Sequence, residues 1–137
     1  MRFFGFVSAL VLGMAMSAQA ATKGSLNEQR PEKVVNINVS EAFIPGGFDS
    51  SSDVYAVASG VFPNSCYSWS GANVEHVDGS NVHNVRAEAR VSQGYCLMAM
   101  IPFQKEVRIG QLEAGEHKIR FVGGDGTYLE KTVQIEP

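Results

Sequence analysis

The chain has 137 residues, 45% of them hydrophobic, and carries 11 Lys or Arg against 14 Asp or Glu, a formal charge of −3. That apolar share is enough to build a core and too high for a disordered acidic tail. A mildly acidic chain with no basic run is a poor ligand for nucleic acid or an anionic membrane, so neither is expected as a partner.

The first 20 residues read as an export signal. Arg2 supplies a minimal positive region, an apolar run follows from Phe3 to Met16, and Ala18-Gln19-Ala20 fits the small-x-small cleavage rule. The run is shorter than the ~20 residues needed to span a bilayer, so cleavage before Ala21 is expected rather than an anchor. Removing Arg2 takes the mature charge to about −4. The style of the signal is bacterial and implies a periplasmic or secreted destination, with no stable membrane insertion of the mature chain. Residues 21–32, ATKGSLNEQRPE, are polar and aperiodic and read as a flexible lead-in to a single domain over 33–137.

No window sustains helical periodicity. Period-2 runs recur instead between Gly, Pro, Asn, Asp and Ser. VVNINV (34–39) sets Val35, Ile37 and Val39 on one face, and DVYAVASGV (53–61) is small or apolar on both faces, as a central strand is. CYSWS (66–70) follows a Pro-Asn turn. ANVEHV (72–77) and NVHNVRAEARV (81–91) flank Asp78-Gly79, the second with Val85, Ala87, Ala89 and Val91 inward. YCLMAMI (95–101) reads as a buried strand. KEVRI (105–109), HKIRFV (117–122) and TYLEKTVQI (127–135) alternate, and Lys131 breaks the last pattern, which predicts a bulge or an edge position. About seven to nine short strands with turns every 8–12 residues predict an all-β, two-layer antiparallel sandwich of Greek-key type, with a small closed barrel as the alternative.

Cys66 and Cys96 are an even pair in a chain expected to be exported, where thiols oxidise, and a structural disulfide is the expected state. The rival reading is a cysteine nucleophile. It needs a helix N-terminus or a neighbouring His to lower the thiol pKa, and Cys66 instead follows a turn. A C-x-x-C redox spacing is absent.

SGVFPNSCYSW, the strand pair in VHNVRAEARVSQGYCLMAMIPF, and VRIGQLEAGEHKIRFVG together resemble a family of secreted bacterial β-sandwich domains, immunoglobulin- or fibronectin-like, with one Cys pair. In that family a Pro-x-x-Cys opens one strand and a second Cys begins another about 30 residues on, before an L-x-x-G-x-His-type turn into the final hairpin. The resemblance covers residues 54–135. It implies architecture and almost nothing about function. The antibody-domain core is not reproduced, because Trp69 follows the first Cys by three residues and Tyr95 precedes the second by one.

If the disulfide spans the core, strand parity turns Tyr67, Trp69 and Tyr95 outward, as a surface for a sugar or a protein partner; the alternatives are packing in the core or under a neighbouring loop, or a slip of parity at a bulge. His76 and His83 are directly opposed if the connecting loop is 78–81, which makes them weak candidates for half a metal site or a pH sensor; two ligands fall short of a zinc site, so no metal and no cofactor is expected. With Asp78-Gly79 as a two-residue turn, the pair dissolves. DSSSD (49–53) and GGDGT (123–127) lack the spacing of a calcium loop. There is no G-x-S-x-G, S-x-x-K or H-E-x-x-H. The expected function is therefore an exported, non-catalytic binding domain of the cell envelope or extracellular space, its partner a protein or glycan. The alternatives are a periplasmic inhibitor or accessory subunit using a loop such as 44–53 or 61–65, and a small hydrolase whose site carries no recognisable motif.

Overall fold

A computed structural model describes residues 32–137; the expected signal peptide and nearly all of the lead-in lie outside the described residues. Eight strands run in chain order: β1 (Glu32–Ile37), β2 (Glu41–Phe43), β3 (Val54–Phe62), β4 (Tyr67–His76), β5 (Val82–Ser92), β6 (Ile101–Gly110), β7 (Gly115–Val122) and β8 (Tyr128–Ile135). They form a five-stranded sheet of β1, β4, β5, β7 and β8 and a three-stranded sheet in the order β2-β3-β6. No helix occurs among the described residues.

The alternation read from the sequence explains which faces meet. Val54, Ala56 and Ala58 of β3, Val107 and Ile109 of β6, Val85 of β5, Ile119 and Phe121 of β7, and Val133 and Ile135 of β8 are buried between the sheets. Small residues on β3 let it lie in the middle of its sheet, with β2 on one side and β6 on the other. A second cluster of Phe62, Ala89 and Phe103, with Val35, Ile37, Tyr67 and Trp69 against it, closes one end.

β5 organises the larger sheet. It pairs along one edge with β4, from His76↔His83 to Tyr67↔Val91. Its other edge is divided: Val82–Val85 pair with β7, and Ala87–Ser92 pair with β1. The β5–β7 pairing is parallel, while the other strand pairings are antiparallel. The chain between β5 and β7 crosses to the opposite sheet as β6 and returns, which lets β7 enter in the same direction as β5.

Two expectations are corrected, and one strand escaped the sequence. CYSWS and ANVEHV are one strand, β4, interrupted by a register shift between Trp69 and Gly71; the Ser-Gly pair that reads as a boundary is a bulge. YCLMAMI is not a buried strand. Pairing of β6 with β3 starts at Ile101↔Phe62, where β3 ends before Pro63, so residues 95–100 have no partner strand and lie in irregular, largely exposed chain. The short strand β2 was not read from the sequence at all; its three residues carry too little pattern. Lys131 sits on the edge strand β8, opposite Ile119, in parity with the buried Val133 and Ile135. A lysine inward at an edge discourages pairing with another chain.

Candidate functional site

The disulfide Cys66–Cys96 joins the turn before β4 to the segment before β6, with Cα atoms 5.3 Å apart. Cys66 is buried; its backbone N–H bonds Asn64 Oδ1, and its carbonyl accepts the Ser92 N–H. Leu97 is fastened next to it: its carbonyl accepts the Ser65 N–H at 3.0 Å, and its N–H donates to Ser65 Oγ at 2.7 Å. Hung from these ties, Tyr95 is 103% exposed, Leu97 74%, Met98 87% and Met100 77%. Val61 and Ile101, at the paired ends of β3 and β6, are also exposed. Large apolar side chains with open faces in one fastened segment are the part of this surface suited to covering by another molecule.

The three aromatics singled out from the sequence do not share an outward face. Tyr67 stacks on Phe62 with centroids 6.0 Å apart, and Trp69 tilts against Phe103 at 5.6 Å. Both are partly buried against the cores, while Tyr95 stands apart in the exposed segment. The parity argument fails because Cys66 lies in the turn and not within β4, so alternation counted from it does not apply. Sequence reasoning also missed the exposure of Leu97, Met98 and Met100, since an apolar run carries no sign that its partner strand has stopped.

The opposite end of the sandwich holds all three histidines of the chain. His76 ends β4, His83 is the second residue of β5, and the register places them opposite each other across the 78–81 loop. His117 on β7 comes up on the far side of His83. His76 Nδ1 lies 2.5 Å from His83 Nδ1, and His83 Nε2 lies 2.8 Å from His117 Nδ1. His117 Nε2 donates to the Glu113 carbonyl at 2.7 Å. His83 and His117 are 5% and 3% exposed, the buried polar side chains of the described residues. Burial first, and then the neighbouring charges of His76 and His117, push the His83 pKa down to about 4. The rings border a cavity of about 430 Å³ that Asp78, Asn81, Gln111 and Glu113 also line.

His117 escaped the sequence reading although its signal was present: it lies in parity with Ile119 and Phe121, as His83 does with Val85 and Ala87. An imidazole on a core face must find a polar partner. These nitrogens form a line and do not converge on a point, because His83 directs one nitrogen at each neighbour. Among the described residues, no group of three or more His, Cys, Asp or Glu is arranged to hold a metal ion. The Ser-rich and Gly-rich loops are self-bonded turns. Asp49 Oδ1 accepts bonds from Ser51 and Ser52, and Asp125 Oδ1 from Thr127; these bonds lower both carboxyl pKa values.

A family model described as the ORF11 beta-sandwich domain matches residues 56–135, from within β3 to the end of β8. Neither a curated protein nor a solved structure matches the sequence.

Proposed function

The chain belongs to the ORF11 beta-sandwich domain family, and from that premise we propose that it is an exported, non-catalytic binding domain whose contact surface is the segment 95–101. The observation that carries this reading is the exposure of Tyr95, Leu97, Met98 and Met100 in a segment tied down by a disulfide and by both backbone groups of Leu97. Prior ordering matters, because a contact loop that is already fixed loses less conformational entropy on binding. Leu and Met favour a protein partner over a glycan: thioethers and branched alkyls fill apolar pockets, whereas sugars are recognised by aromatic faces and polar groups. The disulfide and the low charge fit a partner in the cell envelope or outside. The same fastened, protruding segment supports a second reading, an inhibitor that seats this loop in an enzyme cleft.

The test is photo-crosslinking from position 98 in cells exporting the protein, with Leu97→Ser/Met100→Ser as the comparison. A discrete crosslinked protein that vanishes with the double variant supports the reading. Equal crosslinking by both proteins, with unchanged thermal stability, would overturn it. Inhibition of the captured partner's activity by the purified domain separates the second reading from the first.

A further inference from the structure

At the end of the sandwich away from the apolar segment, we propose that His76, His83 and His117 form an acid-triggered latch, a one-directional imidazole relay that pins the β4–β5 hairpin to β7 and opens on protonation.

The direction follows from its fixed end. The Glu113 carbonyl can only accept, so His117 Nε2 carries a hydrogen. Neutral His117 then presents Nδ1 as an acceptor, which requires the hydrogen of His83 to be on Nε2. His83 Nδ1 is left as an acceptor, and His76 must donate to it from Nδ1. One assignment satisfies all three contacts, and it leaves a single open lone pair, on Nε2 of the exposed His76.

That order sets how many protons the relay tolerates. A proton added at His76 Nε2 breaks nothing, since the Nδ1–H still donates to His83. A second proton has no such place. On His83 it puts a hydrogen on Nδ1 facing the His76 donor; on His117 it puts one on Nδ1 facing the His83 donor. Either way two N–H groups confront each other, at 2.5 or 2.8 Å, beside rings that are nearly fully buried. The titratable groups that touch His83 are His76 from β4 and His117 from β7; Asp78 from the hairpin turn and Glu113 from the segment before β7 line the same cavity without bonding the ring. Neither carboxyl supplies the missing acceptor within the line, since each histidine contact runs to another ring or to the Glu113 backbone carbonyl.

The relay holds neighbouring backbone in place. The Lys118 N–H donates to the Asn81 carbonyl at 2.8 Å, and Asn81 Nδ2 to the Glu116 carbonyl at 2.9 Å. The parallel β5–β7 pairing, four residue pairs long, starts here at Val82↔Lys118. Repulsion between His83 and its neighbours opens this short pairing while the long antiparallel ladders stay shut. The reading does not rest on the binding role of the apolar segment.

Nitrogen-resolved NMR of the three imidazoles, together with amide exchange between pH 7.5 and 4, tests it. At pH 7.5 His76 should carry Nδ1–H, and His83 and His117 Nε2–H. On acidification the Lys118 amide should lose at least tenfold in protection while the β3 amides of Ala56 and Ala58 keep theirs. His83→Gln keeps a donor and an acceptor without titrating and should remove the pH dependence; His76→Gln, at an exposed position, serves if that variant does not fold. An Nδ1–H tautomer at His83, Lys118 protection unchanged to pH 4, or uniform loss across the whole domain would each overturn the latch. So would a one-to-one Zn²⁺ complex that keeps the end closed at pH 5.

Discussion

A Cβ on Gly60 would lie 2.5 Å from Cζ of Phe103 and 3.1 Å from the Asn38 carbonyl oxygen. Phe103 cannot retreat, because it is stacked on Phe62 at 4.6 Å and leaned on by Trp69. Gly60→Ala should therefore cost about 1–3 kcal/mol, the usual penalty for overpacking, read from urea unfolding. Adding Phe103→Leu should return part of that loss. His83 sets a second residue-scale expectation. Its folded pKa is near 4 against 6.5 in the unfolded chain, so between those values the unfolded state binds more protons. Its contribution is intact above pH 6.5 and is lost as pH falls toward 4, by roughly 3 kcal/mol in all. The difference in unfolding free energy between the native protein and His83→Gln, followed from pH 8 to 4, isolates this from the carboxylates. A difference that does not vary with pH would contradict it.

Among the elements, the disulfide does two things at once. It closes a loop across a separation of 30 residues, and by restricting the unfolded chain it should contribute about 3–4 kcal/mol. It also hangs the exposed segment from the turn before β4. Cys66→Ala/Cys96→Ala should lower the urea midpoint accordingly and raise amide exchange at Leu97, whose N–H bonds Ser65 Oγ. Unaltered Leu97 exchange would mean that the two bonds to Ser65 hold the segment without the disulfide. The strands themselves were mostly legible in the sequence. Val85, Ala87 and Ala89 on β5 and Ile119 and Phe121 on β7 are buried as alternation predicts, because a strand between a core and solvent repeats every second residue. Residues 95–100 defeated the same reading, since an apolar run says nothing about where the neighbouring strand stops.

The two ends of the sandwich carry different chemistry. β4 leads from Tyr67, next to the disulfide, to His76 over 10 residues, a span of about 30 Å at roughly 3.3 Å per residue. Effects on stability from the two ends should therefore add to within about 0.5 kcal/mol. The cycle of His76→Gln with Met98→Ser, measured by urea unfolding at pH 7.5, checks this. A larger coupling would show that β4 and β5 transmit a change from one end to the other.

The sequence by itself determined the class of fold, the inward faces of most strands and the pairing of Cys66 with Cys96, which depend on local period or on a residue count; it offered the opposition of His76 to His83 as one of two hairpin registers, and the structure chose it. Only the tertiary structure decided what those features meet. It turned Tyr67 and Trp69 onto the aromatic cluster because Cys66 lies outside the strand. It left Tyr95, Leu97, Met98 and Met100 uncovered because β3 ends at Phe62. It brought His117 to His83 across 34 positions because β7 enters parallel to β5. Alternation fixes a face, but which strand lies opposite that face depends on how the crossover through β6 returns the chain, and no local pattern encodes that.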